Sequence, residues 1–196
     1  MNKKIKIVAL FGKSGAGKDT IQRQIMDKVD GVKGIVSCTT RPPRDNETNG
    51  IDYHFLSNME FTQKVLNGSM LEATEFRDWF YGTSIDELDV EKINVGVFNI
   101  AGIEALLADS RLEVIPVLVY AEDRIRLYRA LMRERDPDCE EICRRFFADQ
   151  KDFENIDFNY LIWENNGETT PLAVSDMTWF KQWSKIMEAF GQNPLD

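Results

Sequence analysis

The stretch LFGKSGAGKDTI, residues 10–21, decides the fold of this chain. Gly12 and Gly17 are separated by four residues and Lys18 follows, which is the spacing of a P-loop, a glycine-rich loop that binds phosphate groups. The P-loop pattern ends in Ser or Thr, whose hydroxyl meets magnesium, but here Asp19 occupies that position. A carboxylate is a good oxygen ligand for magnesium, so we expect Asp19 to support the metal, directly or through water.

The residues on either side give the loop the context that phosphate binding requires. The apolar run IKIVALF, residues 5–11, predicts a buried strand, and Ile21, Ile25 and Val29 recur at helical spacing after the loop. In this strand–loop–helix order, backbone N–H groups and the positive end of the helix wrap a phosphate, while the lysine bridges two phosphates. The predicted nucleotide-binding residues of the loop are Gly12, Ser14, Gly15, Ala16, Gly17, Lys18, Asp19 and Thr20.

Composition and charge exclude several classes of protein. The chain has 196 residues, of which 43% are hydrophobic and 29% are charged, as expected for a folded globular domain. Its net charge of −9 argues against general binding to nucleic acid or to an anionic membrane. Its apolar runs are too short to span a membrane, and its N-terminus lacks the pattern of a signal peptide. Cys38, Cys139 and Cys143 form no disulfide framework, so we expect free thiols and a cytoplasmic location.

Strand-like and helix-like segments alternate along most of the chain. This alternation predicts an α/β fold, with a P-loop core built on a mostly parallel five-stranded sheet and helices on both of its faces. One segment interrupts the alternation and predicts an inserted small antiparallel unit. The expected single domain, residues 1–196, has its core in residues 1–33, 90–127 and 153–196, the insertion in residues 34–89 and a helical segment in residues 128–152.

Local patterns define several individual elements. Ser57 with Glu60, and Ser84 with Glu87, have the spacing of capping boxes that open helices. The segment GIVSCTT, residues 34–40, predicts one strand. Helical spacing near the C-terminus predicts core packing, rather than a base-stacking surface, for Trp179, Trp183, Ile186 and Phe190.

A second anion site is indicated by SCTTRPPR, residues 37–44. Arg41 and Arg44 flank a proline pair, which restricts the backbone and holds the two guanidinium groups in place. Two such arginines suit a second phosphate through bidentate hydrogen bonds, although a basic turn is more often simply solvated. In LEATEF, Glu72 considered alone is most simply a solvated strand position.

Five segments together resemble the guanylate kinase family of nucleoside monophosphate kinases: GKSGAGK, SCTTRPPR, GIDYHF, LEATEF and YGTS. They follow the family's order and approximate spacing, and the match runs from Ile5 to about Phe147. The resemblance implies a P-loop kinase in which residues 34–89 bind a nucleoside monophosphate and residues 128–152 form a helical lid. It also implies ATP and magnesium as cofactors, and small-molecule substrates, ATP and most simply GMP or dGMP.

The resemblance assigns roles to individual residues. Glu72 matches the carboxylate that reads guanine, whose N1–H and 2-amino group present two parallel donors. The implied substrate-binding residues are Ser37, Arg41, Arg44, Tyr53, Glu72, Tyr81, Thr83 and Asn99. The implied catalytic residues are Lys18, Arg44, Arg133 and Arg145, with Arg129 and Arg144 as further lid candidates and Arg135 as an alternative to Arg133. Asn165, or alternatively Glu164, falls near the expected adenine of ATP.

The segment VFNIAG departs from the family at a position that bears on base choice. The family usually has aspartates around the end of this strand, whereas Val97 and Asn99 stand here. Asparagine both donates and accepts hydrogen bonds, so a deoxynucleotide kinase with altered or broader base choice is one alternative. Asp19 keeps open a second, a kinase similar to ribose 1,5-bisphosphate phosphokinases, and a non-catalytic guanylate-kinase-like interaction module is a third. The sequence sets no expectation for the oligomeric state.

Overall fold

A computed structural model describes residues 3–43, 47–76, 78–133, 136–167 and 176–192. The chain divides into two compact units. Unit 1 comprises Met1–Ile7 and Met26–Val114, and unit 2 comprises Val8–Ile25 and Ile115–Asp196.

The elements alternate between strand and helix at both ends of the chain, with a run of short strands between. The strands are β1 (Ile5–Phe11), β2 (Val32–Gly34), β3 (Cys38–Thr39), β4 (His54–Phe55), β5 (Met70–Phe76), β6 (Trp79–Ser84), β7 (Ile93–Val97), β8 (Leu112–Tyr120) and β9 (Leu161–Glu164). The helices are α1 (Lys18–Lys28), α2 (Asn58–Leu66), α3 (Ile100–Ala108), α4 (Asp123–Met132), α5 (Cys139–Asp152) and α6 (Asp176–Ala189).

The larger sheet has five strands in the order β2–β7–β1–β8–β9. The pairs β2–β7 and β8–β9 are parallel, as the strand–helix alternation predicts. Residues 7–11 of β1 are completely buried, because a strand in the middle of a parallel sheet is covered on both faces. This burial explains why β1 reads as a continuous apolar run. The predicted α/β class and the five-stranded parallel sheet are therefore confirmed.

The smaller sheet lies in unit 1 and has the order β4–β3–β6–β5. Strands β5 and β6 form an antiparallel hairpin and β3 pairs antiparallel with β6, while β4 joins β3 in parallel. The predicted small antiparallel unit is confirmed, with one parallel edge strand added. The single strand predicted over residues 34–40 is wrong, because this segment leaves the larger sheet after β2 and enters the smaller one at β3.

The two predicted capping boxes have different outcomes. Ser57 and Glu60 form a complete capping box that opens α2, with the Ser57 side chain accepting from the Glu60 N–H. Ser84 instead accepts from the N–H of Asp86 and opens only a 3₁₀ turn, Ile85–Glu87. The capping box predicted at Ser84 is therefore wrong, since the chain leaves the helix one turn after it begins.

In unit 2 the aromatic core forms as the helical spacing predicts. Trp179 and Trp183 on α6 are 6% and 4% exposed, and the ring of Trp179 packs edge-on against Trp163 of β9 at 5.6 Å between centroids. Ile186 and Phe190 are also buried. Across the described ranges, no helix is long and apolar enough to cross a membrane.

Candidate active site

The loop between β1 and α1 has the backbone path of a P-loop. Gly15 and Gly17 have φ angles of +78° and +92°, in the left-handed region that side chains rarely adopt. A Cβ on Gly15 would lie 2.6 Å from the carbonyl oxygen of Arg126, and one on Gly17 would lie 2.5 Å from Nδ2 of Asn165. Both glycines are therefore required by conformation and by space.

Lys18 begins α1 and points back over the loop. Its Nζ donates to the carbonyl oxygens of Gly12 at 2.8 Å and Lys13 at 3.3 Å. Burial lowers the pKa of Lys18, and the charges of Asp19 and Asp149 act in the opposite direction. The lysine is thus held over the loop by main-chain acceptors, which leaves its ammonium group placed to meet a bound phosphate.

Asp19 lies in the first turn of α1 and its side chain is exposed. In the described part of the chain, no three His, Cys, Asp or Glu residues cluster in a way that could hold a metal ion. Magnesium in nucleotide sites is held by one or two carboxylates, phosphate oxygens and water, so a single carboxylate beside the loop fits that ion.

The side chains of Asn165 and Arg129 donate hydrogen bonds to main-chain carbonyls of the loop. Asn165 is fully buried, and its Nδ2 donates to the Ala16 carbonyl at 2.8 Å. Arg129 donates through Nη1 to the carbonyls of Gly15 and Ala16 at 3.4 and 3.3 Å, and through Nη2 to those of Asn165 and Gly167 at 2.9 and 3.2 Å. Both side chains contact backbone, and the contact of Asn165 with adenine stays a prediction.

Helices α4 and α5 bring a group of arginines to the loop. A cavity of about 120 Å³ is lined by Ser14, Arg126, Arg133, Glu141, Arg145 and Asp149, among others. The structure thus brings together two predicted lid residues, Arg133 and Arg145. Arg144 pairs with Glu141 at 2.7 Å and does not line this cavity. Arg135, the alternative to Arg133, lies outside the described residues.

Sequence reasoning missed two residues of this cavity, Arg126 and Asp149. Asp149 Oδ2 accepts a hydrogen bond from the N–H of Ser14 at 2.7 Å and lies 3.5 Å from Arg126 Nη2. A signal for Arg126 was present, because it precedes Arg129 by three positions and Arg133 by seven, which places all three on one face of a helix. The sequence carried no comparable signal for Asp149.

In unit 1, Arg41 is held by aromatic rings and one carboxylate. Its guanidinium lies 5.6 Å from the ring centre of Tyr53 and 5.8 Å from that of Phe55. Nη2 donates to both carboxylate oxygens of Glu47 at 2.8 Å. Burial opposes the charged form, but Glu47 and the Tyr81 hydroxyl hold the pKa of Arg41 above its ordinary value.

Other predicted residues join this cluster. The rings of Tyr53 and Tyr81 pack edge to face at 6.2 Å. Ser37 is half-buried just before β3, and its carbonyl accepts from the N–H of His54 at 2.9 Å. Arg44 lies outside the described residues, so its expected role stays a prediction.

Glu72 and Thr83 face each other across the β5–β6 hairpin. Burial raises the pKa of Glu72, and the fully buried Thr83 hydroxyl acts in the opposite direction. The Glu72 side chain lies over the first turn of α3, where a Cβ on Gly102 would be 3.5 Å from Glu72 Cγ. The carboxylate is therefore partly buried and is not the solvated strand position that its segment alone suggests.

Asn99 caps α3 beside Glu72. Its Oδ1 accepts from the N–H of Gly102 at 2.7 Å, and its Nδ2 lies 3.4 Å from the Thr74 hydroxyl. The cap occupies the carbonyl end of the Asn99 amide, and the hydrogen bond to Thr74 uses one of the two N–H donors at the other end. The contact of Asn99 with the base of the acceptor stays a prediction.

The fold and the loop define a P-loop α/β phosphotransferase, since the parallel sheet carries a loop with the sequence and the backbone path of a P-loop. The family model named Guanylate kinase matches residues 4–180. The chain therefore belongs to the guanylate kinase family.

Individual relatives are similar over different lengths. The chain is 29% identical to guanylate kinase from Helicobacter hepaticus over 173 residues, covering 86% of each protein. It is 46% identical to guanylate kinase from Malacoplasma penetrans over 88 residues, which are 44% of this chain and 45% of that relative. A crystal structure of guanylate kinase from Anaplasma phagocytophilum has the same fold, with a TM-score of 0.67, 18% identity, and coverage of 97% of this chain and 88% of that one. None of these similarities favours the sugar-phosphate kinase or interaction-module alternatives.

Proposed function

We propose that this chain catalyses the ATP-dependent phosphorylation of GMP, or of dGMP, to the diphosphate. The observation that carries this proposal is the partly buried carboxylate of Glu72 beside Thr83. Guanine presents N1–H and its 2-amino group as two parallel donors to such a carboxylate, whereas adenine would present a lone pair. Membership of the guanylate kinase family supports the same acceptor.

The acceptor phosphate is assigned to the cluster around Arg41. Arg41 already holds both carboxylate oxygens of Glu47, and a guanidinium can bind two oxygens of a phosphate group in a similar way. The hydroxyl groups of Tyr53, Tyr81 and Ser37 are proposed as neutral donors to the same phosphate. Arg44, beyond the described residues, is proposed as a second charged donor.

The donor nucleotide is assigned to the P-loop. Backbone N–H groups of residues 14–18 wrap the β-phosphate, and Lys18 bridges the β- and γ-phosphates. Asp19 is proposed to hold magnesium, which when bound would neutralise phosphate charge. The main-chain hydrogen bonds of Lys18 support this assignment, because they place its ammonium group over the loop.

The reaction needs no strong general base. A phosphate monoester has a second pKa of about 6, so the attacking oxygen of GMP is largely anionic at neutral pH. The protein has to hold two polyanions in line and neutralise the charge that spreads over the transferred group. Arg133 and Arg145 are proposed to do the latter from the lid, residues 128–152, while residues 34–89 bind the acceptor.

An acceptor panel tests the proposal. The full chain is assayed for ADP production with ATP and magnesium, and with GMP, dGMP, AMP, dTMP, dUMP or dCMP as acceptor. We expect the highest kcat/KM for GMP or dGMP. A chain that is folded but inactive with both guanine nucleotides would contradict the proposal.

The free thiols of all three cysteines support a reducing, cytoplasmic setting for this reaction.

A further inference from the structure

Arg126 is a buried arginine whose hydrogen-bonding capacity is mostly unused. Its side chain is only 2% exposed and packs over the ring of Phe146 at 5.0 Å. Its Nη2 reaches Asp149 at 3.5 Å, and its Nε lies 3.6 Å from an Asp123 carboxylate oxygen, but Nε and Nη1 have no hydrogen-bond partner among the residues that the structure describes. A buried cation in this condition costs free energy, so an additional anionic partner would stabilise it.

Arg126 lies directly against the P-loop. A Cβ on Gly15 would be 2.6 Å from the Arg126 carbonyl oxygen, and Arg126 lines the same cavity as Ser14. The charges of Arg126 and Arg133 both act to lower the pKa of Lys18, after the larger effect of burial. Arg126 therefore contributes to the positive potential of the loop that receives phosphate.

Asp149 occupies part of this anion site. Its Oδ2 accepts the N–H of Ser14 at 2.7 Å, a distance typical of a strong, charge-assisted hydrogen bond. The same oxygen is the one that approaches Arg126. One carboxylate oxygen thus bridges a loop N–H and a buried guanidinium, which is the pair of contacts that a phosphate oxygen would make in its place.

We propose that Arg126 is a further phosphate-binding residue for the donor nucleotide, and that Asp149 occupies its position until the polyphosphate of ATP displaces the carboxylate. The proposal rests on the donor assignment made above. In the nucleotide complex the phosphate takes over the Ser14 N–H and the open donors of Arg126, and the cavity of about 120 Å³ has room for a group of that size. Asp149 therefore competes with ATP, and Arg126 contributes to its binding.

Calorimetric titration of the full chain with ATP and magnesium, without acceptor, tests this inference. Asp149→Asn keeps an oxygen that can accept from Ser14 but removes the competing charge, so we expect ATP to bind roughly ten-fold more tightly. Arg126→Lys keeps the charge but loses the fork of donors, and we expect roughly ten-fold weaker binding. Adenosine, which carries no phosphate, should bind all variants equally.

Two exposed residues provide matched controls. Asp152→Asn on α5 and Arg124→Lys on α4 make the same chemical changes away from the cavity and should leave ATP binding unchanged. Circular dichroism and thermal unfolding establish that each variant is folded, and steady-state kinetics should show the change in KM for ATP with KM for GMP unaltered.

The outcomes separate this inference from the function on which it depends. If the wild-type chain binds ATP and phosphorylates GMP while folded Asp149→Asn binds ATP no more tightly than Asp152→Asn, the inference is wrong and the function stands. The inference is also wrong, and the function also stands, if folded Arg126→Lys binds ATP as tightly as Arg124→Lys does. If the wild-type chain binds no ATP, both are wrong.

Discussion

Replacing Glu72 by glutamine separates the role of this residue in binding from its effect on stability. The Glu72 carboxylate offers two acceptor oxygens to the two N–H donors of guanine. The glutamine side chain offers one acceptor oxygen, and its NH₂ group faces the second guanine donor, with which it cannot form a hydrogen bond. A hydrogen bond to a charged group contributes roughly 1.5–3 kcal/mol and one to a neutral group about 1 kcal/mol, so losing one bond and weakening the other leads us to expect a loss of about 3 kcal/mol, or roughly 10²-fold in kcat/KM for GMP.

The same substitution should stabilise the fold at neutral pH. Burial raises the pKa of Glu72 above its ordinary value of 4.5, so the folded state favours the neutral carboxyl and loses stability as pH rises through the raised pKa. Each unit of that rise costs about 1.4 kcal/mol when the group is ionised. Glutamine carries no charge to bury, and each kcal/mol regained should raise Tm by roughly 2–4 °C in a domain of this size.

Both effects are measurable on one pair of variants. Glu75→Gln, at an exposed position of the same strand, makes the same chemical change and should alter neither kcat/KM nor Tm appreciably. The Tm advantage of Glu72→Gln over wild type should grow between acid and neutral pH. A variant that retains GMP activity within about three-fold of wild type would refute the binding role, because losing one charged hydrogen bond and weakening the other costs more than that. A Tm that falls at neutral pH would refute the burial argument.

Three further substitutions test separate parts of the structure. Gly17→Ala should lower the free energy of unfolding by about 2 kcal/mol or more, since the added Cβ meets Asn165. Gly31→Ala, with φ +74° and open space around it, should cost only about 1 kcal/mol. Equal losses for the two variants in urea unfolding would contradict this prediction. Ser57→Ala removes the cap of α2 and should cost about 1 kcal/mol, which an unchanged urea midpoint would disprove. Arg41→Lys loses bidentate binding and ring stacking, so KM for GMP should rise roughly ten-fold, and an unaltered KM would argue against the phosphate role.

The predictable parts of the fold were those that short segments encode. The P-loop, the buried strand before it and the capping box at Ser57 each depend on residues within one or two turns of one another. The prediction of one strand over residues 34–40 was wrong because an extended segment has the same sequence pattern whether it stays in one sheet or passes into another. The capping box predicted at Ser84 was wrong because a cap residue determines where a helical turn begins, whereas the residues that follow determine how long the helix continues.

The candidate site also has features that short segments predict and features that depend on tertiary packing. The resemblance predicted a role for Glu72 and the SCTTRPPR segment predicted one for Arg41, but the burial of Glu72 and the Glu47 partner of Arg41 depend on how the chain packs. The contact between Arg126 and Asp149 joins residues 23 positions apart on two helices, and its register depends on the turn between those helices. Sequence spacing alone does not determine that register.

The pairing of Arg126 with Asp149 also restricts the mutational paths open to this chain as it diverges. Losing Asp149 first leaves a buried guanidinium whose remaining carboxylate partner, among the residues that the structure describes, is Asp123 at 3.6 Å. Losing Arg126 first leaves a carboxylate that still accepts the Ser14 N–H and is 18% exposed to water. A lineage that abandons the pair should therefore lose the arginine before the aspartate, and chains that keep Arg126 should be enriched in an acidic residue at position 149.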